Sequence, residues 1–265
     1  MHPLQIHLEA WSRSADAVLD LTSDLSAELW ATPTDCPGWD VGDVVAHLLH
    51  LETELADGTA PEPGTGDGRV VAGDHTEAGV AALRGRSPLD LREAFAAVVD
   101  VRRAQLDPLT LSPRGRPPGT PAGVDWDWET LLRNRAVDLW VHEQDLRRAL
   151  GRPGGLDDPG AQVTVQMFAG SLGYVVGRRV QPPAGTVVAV DVHGPVAFSS
   201  RLRVDPGGRA RPVDDAVPAD AIVATDTESF AILGAGRRPL ADLEVALSGD
   251  VELATRVAEA LAVTP

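Results

Sequence analysis

The residues best suited to do chemistry lie in one short segment, residues 135–145. On a helix that turns about 100° per residue, Asp138, His142 and Asp145 fall within about 60° of one another. A carboxylate and an imidazole four residues apart on one helix face can bind the same cation, and both are common ligands of divalent metals. The spacing therefore predicts part of a metal site.

A further histidine, His47, lies in a strongly apolar stretch, residues 44–51. A buried imidazole needs a polar partner. If the two segments are facing helices, His47 completes a site of two histidines and one carboxylate, which is how helix bundles build metal sites in their cores. Three protein ligands leave one position open, which is typical of catalytic zinc.

Plainer interpretations of these residues stay open at this point. A histidine among apolar residues is usually a hydrogen-bonded core residue, and an Asp/His pair four residues apart is usually a surface pair worth about 0.2–0.5 kcal/mol. His50 and Glu54 lie near the same helix face as His47 and are alternative ligands. Short motifs also match by chance.

The elements that must position these residues are mostly helices. Helical periodicity and end signals predict helices over residues 4–30, 41–56, 87–106, 126–150 and 159–179. Ser23 is a candidate cap for a continuation of the first helix, and Ser87 with Asp90 resembles a capping box. Segments 57–74 and 107–125 are rich in Gly and Pro and predict surface loops.

The pattern changes after a predicted linker at residues 181–185. Runs rich in β-branched residues predict strands at 186–192, 196–204 and 221–225, with another strand at 243–247 between helices at 226–235 and 250–262. The predicted fold class is therefore mainly α, with a helical bundle over residues 1–182 followed by a small α+β domain over residues 183–265.

Composition excludes several classes of function. The formal net charge is −16, so the surface repels phosphate backbones and nucleic acid is not an expected partner. All 23 basic residues are arginine, which excludes lysine chemistry. A single cysteine, no signal peptide and no apolar run of about 18 residues indicate a cytoplasmic protein without a membrane span.

Two segments of the helical region resemble a known family. Residues 30–48, WATPTDCPGWDVGDVVAHL, resemble the N-terminal signature of mycothiol-dependent maleylpyruvate isomerases, which belong to the DinB-like metalloprotein superfamily. Residues 138–145 resemble the second metal motif of that family. Residues 230–237 and 245–250 resemble its second domain. The resemblance covers nearly the whole chain.

The resemblance implies a fold and a ligand set. The fold is a DinB-like bundle of four to five helices followed by a small α+β domain. The ligands of a divalent ion, commonly zinc, are His47, Asp138 and His142. The family carboxylate is usually glutamate, and Asp138 is one methylene shorter. To bind the ion, Asp138 therefore needs either a helix backbone that lies closer to the ion than glutamate requires, or a water molecule between its carboxylate and the ion.

The resemblance also implies an activity with mycothiol as the thiol cosubstrate. A metal at an open position favours the thiolate, which attacks an electrophilic carbon. Addition, bond rotation and elimination isomerise a cis double bond, whereas addition alone makes an S-conjugate. In this hypothesis Arg237 binds the carboxylate of a small substrate and Asp145 orients a ligand or an arginine, although both residues also fit ordinary surface roles.

Two other functions remain open, because a scaffold does not determine its chemistry. One is a thiol-independent metalloenzyme, such as a hydrolase or a cyclase, and the other is a non-catalytic metal-binding protein. The expected partners are a small electrophile and a small thiol, and the expected state is a monomer. Cys36 precedes Pro37 with no histidine close in sequence, so a packing role is expected for it.

Overall fold

The computed structural model describes residues 2–66, 73–107 and 109–264. By their internal contacts the residues form two compact units, Met1–Val163 and Thr164–Pro265. The division falls inside helix α7 (Pro159–Tyr174). The predicted domain boundary between residues 182 and 183 stays a prediction.

Four long helices form the first unit: α1 (Gln5–Leu21), α3 (Val41–Asp57), α5 (Pro88–Gln105) and α6 (Trp128–Leu150). Helices α1 and α3 each pack against both α5 and α6, so the four close into a bundle. The shorter helices α2 (Ala27–Trp30) and α4 (Gly73–Leu83) pack against α3. The predicted helical bundle is confirmed. No helix in the described ranges is both long and apolar enough to cross a bilayer.

The two helices that carry the candidate ligands have well-defined ends. The side chain of Asp40 accepts a hydrogen bond from the backbone N–H of Asp43, at 2.8 Å, and Asp127 does the same for Thr130. Such caps satisfy backbone donors that have no partner inside the helix. Helix α6 ends at Gly151, whose φ of 63° is the left-handed conformation that glycine adopts without a steric penalty.

The helical segment predicted over residues 4–30 consists of two helices, and Ser23 was the wrong cap for the second. Helix α1 ends at Leu21, and the hydroxyl of Thr22 donates to the carbonyl of Val18 at 2.8 Å, which closes the last turn. The chain then bends before α2. Ser26, and not Ser23, caps α2, because its side chain accepts the hydrogen bond from the N–H of Leu29.

Helix α4 was not predicted. It begins at the end of the segment 57–74, which was assigned to a loop, and residues 67–72 of that segment lie outside the described residues. Glycine and alanine make up much of α4, so it has little apolar periodicity. The loop predicted at 107–125 contains one short 3₁₀ turn, Pro121–Gly123, among its described residues.

The second unit contains a five-stranded sheet in the order β3-β2-β1-β4-β5. The strands are β1 (Val187–His193), β2 (Phe198–Val204), β3 (Ala210–Pro212), β4 (Ala221–Asp226) and β5 (Ala246–Gly249). Strands β1 and β4 are parallel, with Val190 opposite Val223, and the other pairs are antiparallel. Helices α8 (Thr227–Gly234) and α9 (Val251–Glu259) pack against β4. The predicted small α+β fold is confirmed.

Two details of the sheet differ from the prediction. Strand β3 was missed because only three of its residues pair with β2. The strand predicted at 243–247 begins three residues later, since residues 240–242 form a 3₁₀ turn and only Ala246–Gly249 pair with β4. A π-helical turn, Val175–Val180, extends α7 within this unit.

Candidate metal centre

Helices α3 and α6 bring the three predicted ligands together. Ligand atoms of His47, Asp138 and His142 all lie within 4.8 Å of one another. Oδ1 of Asp138 is 3.4 Å from Nε2 of His47 and 3.7 Å from Nε2 of His142. Ligands at about 2.0–2.2 Å from a tetrahedral zinc are about 3.3–3.6 Å apart. The spacing of these atoms therefore suits one small divalent ion.

Burial and charge set the protonation states that such an ion requires. His47 and His142 are each 4% exposed, whereas the side chain of Asp138 is 29% exposed. Burial lowers the pKa of His47 to about 4, although Asp138 opposes the shift. Burial alone would raise the pKa of Asp138, but His47 and Arg135 hold it well below its usual value. A neutral imidazole and an ionised carboxylate are the forms that bind metals.

Asp145 holds the ring of His142 from behind. Its carboxylate is fully buried, and Oδ2 lies 3.0 Å from Nδ1 of His142, while Oδ1 accepts a hydrogen bond of 2.8 Å from Nη2 of Arg148. An ionised carboxylate accepts, so Nδ1 carries the proton and Nε2 presents its lone pair toward Asp138. This carboxylate–histidine pairing is typical of metal sites.

A buried ionic network supports Asp138. Nη1 of Arg135 donates to Oδ2 of Asp138 at 2.8 Å, and Nε of Arg135 donates to Oε1 of Glu52 at 2.9 Å. Glu52 is 0% exposed and also accepts hydrogen bonds from Trp11 and Arg102. Although burial raises the pKa of Glu52, the two guanidinium groups lower it below its usual value. Sequence reasoning missed Glu52, and an acid within an apolar helix face was the available signal.

An aromatic ring lies over the two histidines. The ring centroid of Trp39 is 5.0 Å from that of His47 and 5.7 Å from that of His142, with the second pair stacked at 25°. Nε1 of Trp39 donates to Oε2 of Glu77 on α4 at 3.3 Å. Nδ1 of His47 is buried and makes no hydrogen bond to the described residues. Packing against Trp39 and the contacts of Nε2 with Asp138 therefore orient His47, whereas Asp145 orients His142.

Comparison with known proteins identifies the family of the chain. The family described as the mycothiol maleylpyruvate isomerase N-terminal domain matches residues 11–147, and its C-terminal domain family matches residues 162–256. The chain belongs to the mycothiol maleylpyruvate isomerase family. The resemblance noted in the sequence is thus confirmed. No curated protein matches the chain.

Two solved structures share the fold of this family member. A crystal structure of the mycothiol-dependent maleylpyruvate isomerase is 18% identical, covers 94% of both chains and superposes with a TM-score of 0.56. A histidine-to-alanine mutant of that enzyme is 17% identical, with the same coverage and a TM-score of 0.53. At these identities the likeness shows a common fold.

The carboxylate of Asp138, one methylene shorter than the glutamate that the family resemblance implies, lies close to both histidines. The distances of 3.4 and 3.7 Å from Oδ1 of Asp138 to the two Nε2 atoms need no bridging water. The shorter side chain of Asp138 is therefore long enough to share an ion with both histidines.

Cys36 lies closer to the site than its sequence position indicates. A ligand atom of Cys36 lies within 4.8 Å of those of His142 and Asp145. No histidine is close to Cys36 in the sequence. In the fold, however, the turn before α3 places Cys36 beside His142 of α6. The carboxylate of Asp145 is already held by His142 and Arg148, which favours Asp138 as the ligand carboxylate.

The remaining predicted residues fall elsewhere. Arg237 follows α8 in the second unit, where its Nη1 donates to the carbonyl of Ala235 at 3.1 Å, and its role in this family member stays a prediction. His50 and Glu54 do not group with His47. Their ligand atoms instead cluster with those of His75.

Proposed function

We propose that this protein is a divalent-metal-dependent enzyme that uses mycothiol as a thiol cosubstrate on a small electrophile bearing a carboxylate. The isomerisation of a cis double bond, as in maleylpyruvate, is the leading reaction. The observation that carries the proposal is the position of the Asp138 carboxylate between two Nε2 atoms, one of which belongs to a ring fixed by buried Asp145.

The donor set fits a zinc-like ion. Two neutral imidazoles and one carboxylate are the ligands of several catalytic zinc sites, and they leave a position open. When bound, the ion supplies a Lewis acid that lowers the pKa of a thiol and favours the thiolate at neutral pH. The exposed fraction of Asp138, 29%, gives solvent and small molecules a route to this position.

The protein's own residues prepare the site before any substrate binds. Asp145 keeps the proton of His142 on Nδ1. Arg135 donates to Oδ2 of Asp138, which is also 3.2 Å from Nε2 of His47, while Oδ1 lies between the two histidines. Trp39 packs against both rings. We further propose that Arg237 binds the substrate carboxylate, which the likeness of residues 230–237 to the second domain of the family supports.

The cellular setting belongs to the same proposal. We place the protein in the cytoplasm as a monomer, with small molecules as its partners and with neither nucleic acid nor membrane. The net charge of −16 and the single cysteine support this placement.

The experiment is a turnover assay with maleylpyruvate in the presence of mycothiol, of glutathione, or of no thiol. We expect isomerisation only with mycothiol, a loss of roughly a thousandfold or more in kcat/KM for His142→Ala, and no change for His193→Ala, which alters an exposed histidine at the end of β1. Metal-dependent turnover without any thiol would instead support a hydrolase or cyclase and overturn the thiol-dependent proposal.

A further inference from the structure

A second group of metal-binding side chains lies between α3 and α4. His50 and Glu54 are one helical turn apart on α3, and His75 is near the start of α4. Nε2 of His75 is 3.0 Å and Nε2 of His50 is 3.7 Å from Oε2 of Glu54. Ligand atoms of the three residues all lie within 4.8 Å of one another. The ligand atoms are therefore about as close together as those of His47, Asp138 and His142.

One polar atom of this group has no hydrogen bond among the described residues. Nε2 of His50 is buried, and its 3.7 Å separation from the Glu54 carboxylate is too long for a hydrogen bond. Buried polar atoms are normally satisfied. The hydrogen bond between His75 and Glu54 provides a partner for those two side chains but none for Nε2 of His50. A cation at about 2.0–2.2 Å from each ligand atom would provide a partner for all three side chains.

The packing of α4 fixes the ring of His50. Gly79 of α4 lies against this ring, and a Cβ atom at position 79 would be 2.0 Å from its Cδ2. Only glycine permits this close approach. The rings of His50 and His75 have centroids 5.3 Å apart at an angle of 44°. The three side chains are each about one-fifth exposed, so an ion can reach them from solvent.

We propose that His50, Glu54 and His75 form a second site for a divalent cation of the Zn²⁺ class, which joins α4 to α3. This site is separate from the His47 centre and does not depend on the proposed enzyme activity. Two imidazoles and a carboxylate from two helices provide three ligands and leave room for water.

The proposed ion also has a connection to the first site. Helix α4 carries Glu77, which accepts the hydrogen bond from Nε1 of Trp39, and Trp39 lies over His47 and His142. An ion that fixes α4 therefore also fixes the group that supports Trp39. The second site is thus a structural support for the first.

The test is the zinc stoichiometry of the untagged full chain after removal of metal with a chelator. Zinc is returned in competition with a chromophoric chelator. We expect two zinc ions per chain for the native protein and for the control His193→Ala. We expect one for His75→Ala, one for His142→Ala and none for the double variant. In His142→Ala, zinc raises the midpoint of thermal unfolding by at least about 2 °C, and the double variant loses this shift.

Two outcomes overturn the second site: His75→Ala binds as much zinc as the native protein, or zinc produces no thermal shift in His142→Ala. Should His142→Ala not fold, Asp138→Asn replaces it as the variant without the first site. A native protein that binds one zinc, lost in His75→Ala and kept in His142→Ala, supports the second site and contradicts the first. The two proposals therefore fail separately.

Discussion

The buried carboxylate of Asp145 lies 3.0 Å from Nδ1 of His142, on the side of the ring away from the proposed metal position. Asp145 follows His142 by three positions on α6, so the helix itself sets their distance. The pairing fixes both the tautomer and the orientation of His142.

The first prediction concerns Asp145. Asp145→Ala is expected to lower zinc affinity at the first site by about 10- to 100-fold, because an outer carboxylate of this kind contributes that much to metal binding. Competition with a chromophoric chelator measures the change. Asp20→Ala, at an exposed position of α1, is the control. Unchanged affinity in Asp145→Ala would show that His142 needs no support from Asp145.

The second prediction concerns the buried acid Glu52. Glu52→Ala leaves Arg102 and Arg135, which are each 3% exposed, without their common carboxylate. Removing one partner of a buried ion pair costs about 3–5 kcal/mol of unfolding free energy. Urea unfolding of the metal-free protein measures this loss. Glu9→Ala, which removes an exposed ion pair with Arg13, is expected to cost less than about 1 kcal/mol. Similar losses in both variants would contradict a structural role for the network.

The third prediction is a pH dependence. The pKa of His47 in the folded protein, about 4, lies below its usual value of 6.5. Between these values the unfolded chain binds more protons, so the metal-free protein loses stability as pH falls from about 6.5 to 4. Burial of His47 accounts for at most about 3 kcal/mol of this loss. Urea unfolding of metal-free His47→Gln should show a weaker pH dependence in this window, and a slope equal to that of the native protein would refute the assignment.

The fourth prediction tests the packing of the second unit. A Cβ atom at Gly234, the last residue of α8, would lie 2.2 Å from a ring carbon of buried Phe168. Gly234→Ala is therefore expected to destabilise the protein by about 1–3 kcal/mol. Gly170→Ala, on α7, meets no atom within 4 Å and should be neutral or stabilising by up to about 1 kcal/mol. Equal midpoints of thermal unfolding for the two variants would contradict this packing.

Much of the helical architecture was predictable from local signals. Helices α3, α5 and α6 have long apolar faces and clear end signals, and the side chain of Ser87 caps α5 as expected. Since Asp138 and His142 share one helix, their proximity followed from spacing alone. Helix α4 and strand β3 were missed because glycine, alanine and very short length leave little periodic pattern.

The rest of the site depends on packing between helices, which local patterns do not encode. That His47 meets Asp138 was expected from the two-histidine hypothesis and the family resemblance. The contacts of Glu52 with two arginines, and of Trp39 with both histidines, join residues far apart in sequence. His75 was likewise not considered as a partner of His50, since the helix that carries it was not predicted.

The most direct test of the central claim is the zinc content of the native protein and of His142→Ala, measured by elemental analysis after parallel purification without a tag and incubation with zinc. We expect His142→Ala to hold one zinc fewer per chain than the native protein, with an unchanged circular dichroism spectrum. Equal zinc contents, or no zinc in the native protein, would contradict the assignment of His47, Asp138 and His142 as a metal centre.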